Sequence, residues 1–147
     1  MVDIKYISKE EFEKSTSNAK PQRGDILFIR VGSNLGNPVI VNTDTSFCIF
    51  VSLGFLRLKP FFCKEFVKHW LNSSIFWQQM NAKIAGGAKQ NLNTGWLKSF
   101  DISMPCIEEQ EKIANILSKM DELINEKKAL LNGWKQFKKG LLQQMFV

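Results

Sequence analysis

From Ile113 onward, apolar residues return every seven positions in three neighbouring columns. One column runs Ile113, Met120, Lys127, Trp134, Leu141, and a second, three residues on, runs Ile116, Leu123, Leu130, Phe137, Gln144. A third, four residues on from the first, runs Leu117, Ile124, Leu131, Lys138, Met145. Positions three and four apart share a helix face, so the columns merge into one broad stripe. The spacing predicts a helix of about 38 residues within 106–147, a rod of roughly 57 Å. A stripe of this length needs a second helix against it. The expected pairing residues are Ile113, Ile116, Leu117, Met120, Leu123, Ile124, Leu130, Leu131, Trp134, Phe137 and Leu141. Lys127 interrupts one apolar column, as polar groups that set helix register do.

The ends of this helix are legible as well. Pro105 stops the segment before it, Glu108, Glu109 and Glu111 suit the positive end of the helix dipole, and Lys138 and Lys139 suit the other end. Gly133 and Gly140 cost about 1 kcal/mol each in a helix interior. They either admit a closely approaching partner backbone or mark a place where the helix weakens.

Upstream the period changes. A Glu-Glu-Phe-Glu-Lys run near the amino end predicts one or two helical turns, and Arg23-Gly24-Asp25 predicts a turn. Ile26 to Val31 and Pro38 to Asn42 read as the two strands of a hairpin around a loop with two glycines. Phe47 to Val51, Gly54 to Lys59 and Leu97 to Met104 read as further strands. Between them, Phe62, Phe66, Trp70, Phe76, Trp77, Met80 and Ile84 recur at helical spacing, which predicts one amphipathic helix over 61–84 packed on the sheet. The fold class expected is α+β: a small mixed sheet with a packed helix over 1–105, then the long helix pairing as an antiparallel coiled coil.

Composition adds a direction. The net charge is +6, and between Arg57 and Lys98 seven basic residues face one acid, Glu65, a local difference of six that holds the whole excess. From Cys106 onward seven lysines nearly balance six acids. A basic patch confined to the globular part suits either a phosphate backbone or a solvated face without a ligand. Cys48, Cys63 and Cys106 are odd in number and form no Cys-x-x-Cys pair, so we expect buried, reduced thiols of a cytoplasmic protein. No secretory signal and no run of 18 apolar residues occurs, so no membrane span is expected.

Catalytic signatures do not emerge. There is no phosphate loop ending in Gly-Lys-Ser or Gly-Lys-Thr, and the single histidine, His69, supports neither a nucleophile triad nor a histidine metal site. Asp25 and Asp44 lie in turn contexts, where a turn role is the simpler reading. These residues point to a binding protein without a cofactor. Two loops carry side chains able to meet base edges or phosphates: Arg30, Ser33 and Asn34 in the hairpin, and Lys89, Gln90, Asn91 and Asn93 in the Gly86–Gly95 loop, with Lys83 just before it. The same residues are also ordinary turn chemistry.

Four segments then bear a resemblance. MPCIEEQEKIANILSKMDELI (Met104 to Ile124) resembles the junction in specificity subunits of type I restriction–modification systems, with Pro105, Glu109-Gln110, Ile113-Ala114, Ile116-Leu117 and Asp121 as matching residues. KKGLLQQMF (Lys138 to Phe146) resembles the end of that helix. Gly24 to Val41 resembles the family's strand–loop–strand segment, and Gly86 to Pro105 its Gly-rich loop before the junction. The resemblance implies a non-catalytic DNA-recognition subunit that aims methyltransferase subunits, and through them the restriction subunit, at a bipartite site. Those partners use S-adenosylmethionine and ATP. In the family two recognition domains are separated by two antiparallel helices, whereas this chain has one of each and starts late in the domain. The expectation is therefore a shortened half-subunit that homodimerises through its helix. The alternative is an interaction module that binds specificity or methyltransferase subunits without reading DNA.

Overall fold

The computed structural model describes residues 6–17, 20–32, 35–84, 92 and 94–146. Helix α1 (Lys9–Thr16) is capped by Ser8, whose Oγ accepts from the Glu11 N–H at 3.2 Å. Strands β1 (Ile26–Ile29), β2 (Gly36–Ile40) and β3 (Leu53–Leu56) form a sheet in the order β2-β1-β3. Both pairings are antiparallel, so among the described residues the expected mixed sheet is wholly antiparallel. Helices α2 (Lys64–Leu71), α3 (Ser74–Ile84), the short α4 (Thr94–Leu97) and α5 (Ile107–Met145) follow.

The apolar face of β1 starts the core. Ile26 and Phe28 point to one side of the sheet and are buried with Val67 and Leu71 of α2 and Phe76 and Met80 of α3. Phe76 is fully covered, with Trp70, Trp77 and Phe100 around it at ring-centroid distances of 5.2, 5.4 and 5.6 Å, all edge-on. That edge-to-face arrangement suits the aromatic quadrupoles. Gly36 closes the hairpin with φ +81°, and a Cβ there would lie 2.8 Å from Cζ2 of Trp77. Only glycine permits both the left-handed backbone and this approach of α3.

Three expected elements differ. The single helix over 61–84 is two helices, because the chain turns at Asn72-Ser73. There Asn72 and Ser73 N–H groups return to the carbonyls of His69 and Trp70, and Ser73 Oγ accepts from Phe76 N–H at 3.2 Å. Asn-Ser-Ser is a cap signal, and the continuing apolar period obscured it. The strand over 97–104 is not formed. Instead Gln79 stands in for a strand partner, accepting from the Asp101 N–H and donating to its carbonyl, both at 2.8 Å. Phe47 to Val51 is also irregular, with Phe50 and Val51 exposed. The cysteines are free as expected but are not buried: Cys48 and Cys63 are half-buried and Cys106 is exposed.

The long helix is continuous through Gly133 and Gly140, around which there is open space. Its 39 residues make a rod of about 58 Å. Glu108 and Glu109 occupy the first turn as expected, but the last turn contains no cation, because the helix runs on past Lys138 and Lys139.

Candidate nucleic-acid interface and helix-pairing face

The root of α5 is held on α2 by one buried amide. Gln110, 3% exposed, accepts from the Cys63 N–H at 3.0 Å and donates to the Pro105 carbonyl at 2.9 Å. It thus ties the residue before α2 to the segment entering α5. Ala114, buried one turn further, allows the two helices to lie close. His69, whose side chain is 10% exposed, has Nε2 3.1 Å from Ser118 Oγ and Nδ1 3.9 Å from Asp121. Burial pushes this imidazole below its ordinary value, with Lys68 in the same direction and Asp121 and Glu65 opposing. The histidine is a packing residue of the helix junction.

Beyond Asp121 every described α5 residue except Gly140 is exposed. The apolar stripe lies beside the α2 contact and not within it. Ile116, Met120, Leu123, Leu130, Trp134 and Phe137 are each between 55 and 61% exposed. Leu117, Ile124, Leu131 and Leu141 are exposed too, whereas Ile113 is half-buried at the root. Leu142, Met145 and Phe146 extend the apolar tip. Leu142 and Phe146 fall outside the three heptad columns, which is why heptad spacing did not single them out. Trp134 and Phe137 meet edge-on at 6.0 Å, already shaped as one projecting ridge. A continuous apolar face of this length on a free rod is a candidate interaction surface.

The candidate base-contacting residues divide. Ser33, Asn34, Lys89, Gln90, Asn91 and Asn93 lie outside the described residues. Lys83 is exposed in the last turn of α3, where the chain enters the glycine-rich loop. Arg30 sits at the other end of that loop: its carbonyl accepts from the Leu92 N–H at 2.7 Å, and its Nε donates to the Leu92 carbonyl at 3.4 Å. Its stem lies across Gly54, where a Cβ would meet Arg30 Cδ at 2.6 Å. Arg30 also directly precedes the hairpin loop. Leu92 is held at the Arg30 end of β1.

The opposite end of β1 holds a pair that sequence reasoning did not identify. Asp25, 2% exposed, accepts from Arg57 Nε at 2.9 Å and from its terminal nitrogen at 2.7 Å. The expected turn role is also present, since Asp25 accepts from the Gln22 N–H at 2.7 Å. Arg57, which the sequence places in the basic patch, is thus partly neutralised. Asp44 pairs with Arg23 at 2.6 Å on the surface. Among the described residues no group of His, Cys, Asp and Glu is arranged to hold a metal ion. No described helix is long and apolar enough to cross a membrane.

The model of the type I restriction modification DNA specificity domain family matches residues 2–133. A Methanocaldococcus jannaschii protein carrying the name type I restriction enzyme MjaX specificity subunit is 30% identical over 155 residues, covering 99% of this chain and 36% of that protein. The chain thus spans about a third of that relative's length.

Proposed function

The chain belongs to the type I restriction modification DNA specificity domain family, and from that premise we propose that it is a DNA-recognition module without catalysis of its own. Residues 1–105 form the reading head and 106–147 the spacer. One observation carries the division of labour: α5 leaves the head with its apolar stripe uncovered from Ile116 to Phe146. Two copies laid antiparallel along that stripe bury it and put their heads at opposite ends. A rod of about 58 Å separates the heads by roughly 17 base pairs at 3.4 Å each. Twofold symmetry then calls for a palindromic split site. Each head meets the major groove with Arg30, Ser33, Asn34, Lys83, Lys89, Gln90, Asn91 and Asn93, the side chains able to reach base edges and phosphates. Methyltransferase subunits, and through them a restriction subunit, dock on this assembly in the cytoplasm.

Sequencing the methylated bases of host DNA with and without this chain tests the reading. A bipartite methylated motif should vanish when the chain is removed. In solution, fluorescence titration with genomic fragments should retain a sequence-dependent part at moderate salt. Methylation that is unchanged, together with no sequence dependence in titration, refutes DNA recognition and favours an interaction module.

A further inference from the structure

A notch of about 240 Å³ opens at the Asp25 end of β1, lined by Arg23, Gly24, Asp25, Arg57, Lys59 and Lys64 among others. It is several times the roughly 30 Å³ that one water occupies in the liquid. Its charges do not cancel. The one carboxylate in the wall, Asp25, is taken by Arg57 in a two-bond contact. Arg23 faces Asp44 at 2.6 Å, but with 59 and 78% of the two side chains exposed that pair is weak and easily exchanged. Lys59 and Lys64 have no carboxylate partner among the described residues. Lys59 Nζ rests 5.9 Å from the Phe61 ring centroid, and Lys64 Nζ leans over the turn, 3.2 Å from where a Cβ on Gly24 would be. Gly24, at φ +92°, therefore leaves room for a lysine ammonium directly at the mouth. Glu65 and Glu111 line the adjoining cleft, which shares Lys64.

We propose that this notch grips a phosphate of the DNA backbone, acting as a positioning contact separate from the base-reading loops. The inference rests on the DNA-recognition reading and deepens it. Asp25 and Arg30 flank β1 on either side, five residues apart in sequence, which at the rise of extended chain is about 17 Å. That is the rise of about five base pairs. A duplex lying along β1 thus meets Arg30 at one end and the notch at the other, nearer the root of α5. Lysines suit such a contact, because an ammonium holds a phosphate as a point charge without reading sequence.

The test uses the full chain and fluorescence anisotropy with a 30-base-pair duplex of random sequence across a salt series. Replacing both residues (Lys59→Gln, Lys64→Gln) should reduce the slope of log affinity against log salt by about 0.9, the value for one phosphate that is no longer neutralised. Affinity near 0.15 M salt should fall by about 5-fold on the same basis, and sequence preference should stay as it was. The control pair Lys9→Gln, Lys14→Gln removes equal charge from α1 and should leave the slope alone. Circular dichroism melts confirm that each variant is folded. An unchanged slope in the Lys59, Lys64 variant, or an equal drop in the control, overturns the notch and leaves the DNA reading standing. A wild-type chain that binds no duplex at any salt sinks both.

Discussion

Placing aspartate at Ile116, Leu123 and Leu130 should convert the protein from dimer to monomer while leaving the head folded. The three side chains are 58, 57 and 55% exposed in the single chain, so somewhat over half of each remains to be covered by a partner. Complete burial of such a side chain is worth about 1.5–3 kcal/mol, which leaves roughly 1–1.5 kcal/mol per residue for pairing. Six residues across two copies then contribute about 6–9 kcal/mol, before counting the six carboxylates that the substitution would trap in the seam. At 1.4 kcal/mol per factor of ten, the dissociation constant rises by at least about four orders of magnitude. Sedimentation equilibrium on wild type and variant reads this directly. Because the stripe sits beside the α2 contact and not in it, thermal melting of the head should change little. A variant that remains dimeric at micromolar concentration refutes the pairing face. So does a wild type that is monomeric at all concentrations and acquires no partner helix.

Three further outcomes follow from the junction and the hairpin. Gln110→Ala leaves the Cys63 N–H and the Pro105 carbonyl without their partner, and should cost about 2–3 kcal/mol. Its melting temperature should fall by about 4–12 °C on the usual scaling for this size, and a drop in stability below about 1 kcal/mol would show that Gln110 does not hold the helix root. Gly36→Ala forces a Cβ to 2.8 Å from Trp77 at positive φ, and should cost about 1–3 kcal/mol in urea unfolding. Adding Trp77→Leu should recover the steric part, and no recovery would locate the cost elsewhere. Burial lowers the His69 value in the folded state, so the unfolded chain binds the proton more readily. The contribution of this site to stability is therefore complete above the ordinary value of 6.5 and declines as pH falls below it. His69→Gln should flatten that acid-side decline in melts, and an identical pH profile would remove His69 as its source.

The parts of this molecule that depend on near neighbours were legible in the chain. Helix α5 could be read with its start and its stripe, because a 3.6-residue period is a local property and 39 residues repeat it many times. Strands β1 and β2 were legible for a similar reason, since alternation and a glycine-bearing turn lie within a few positions of each other. The free state of the cysteines and the turn role of Asp25 followed from equally short-range logic. What escaped involved partners distant in sequence. Gln79 takes the place of a strand opposite Asp101, 22 residues away, so a stretch with strand-like composition never joined the sheet. Arg57 reaches Asp25 across 32 residues, turning a nominal surface charge into half of a partly buried pair. Gln110 reaches Cys63 across 47 and so fixes where the rod leaves the head. Periodicity could say that α5 has an apolar side. Only the packed structure decided that α2 covers the neighbouring face and leaves that side open, because which face of a helix is buried depends on what the rest of the chain brings against it.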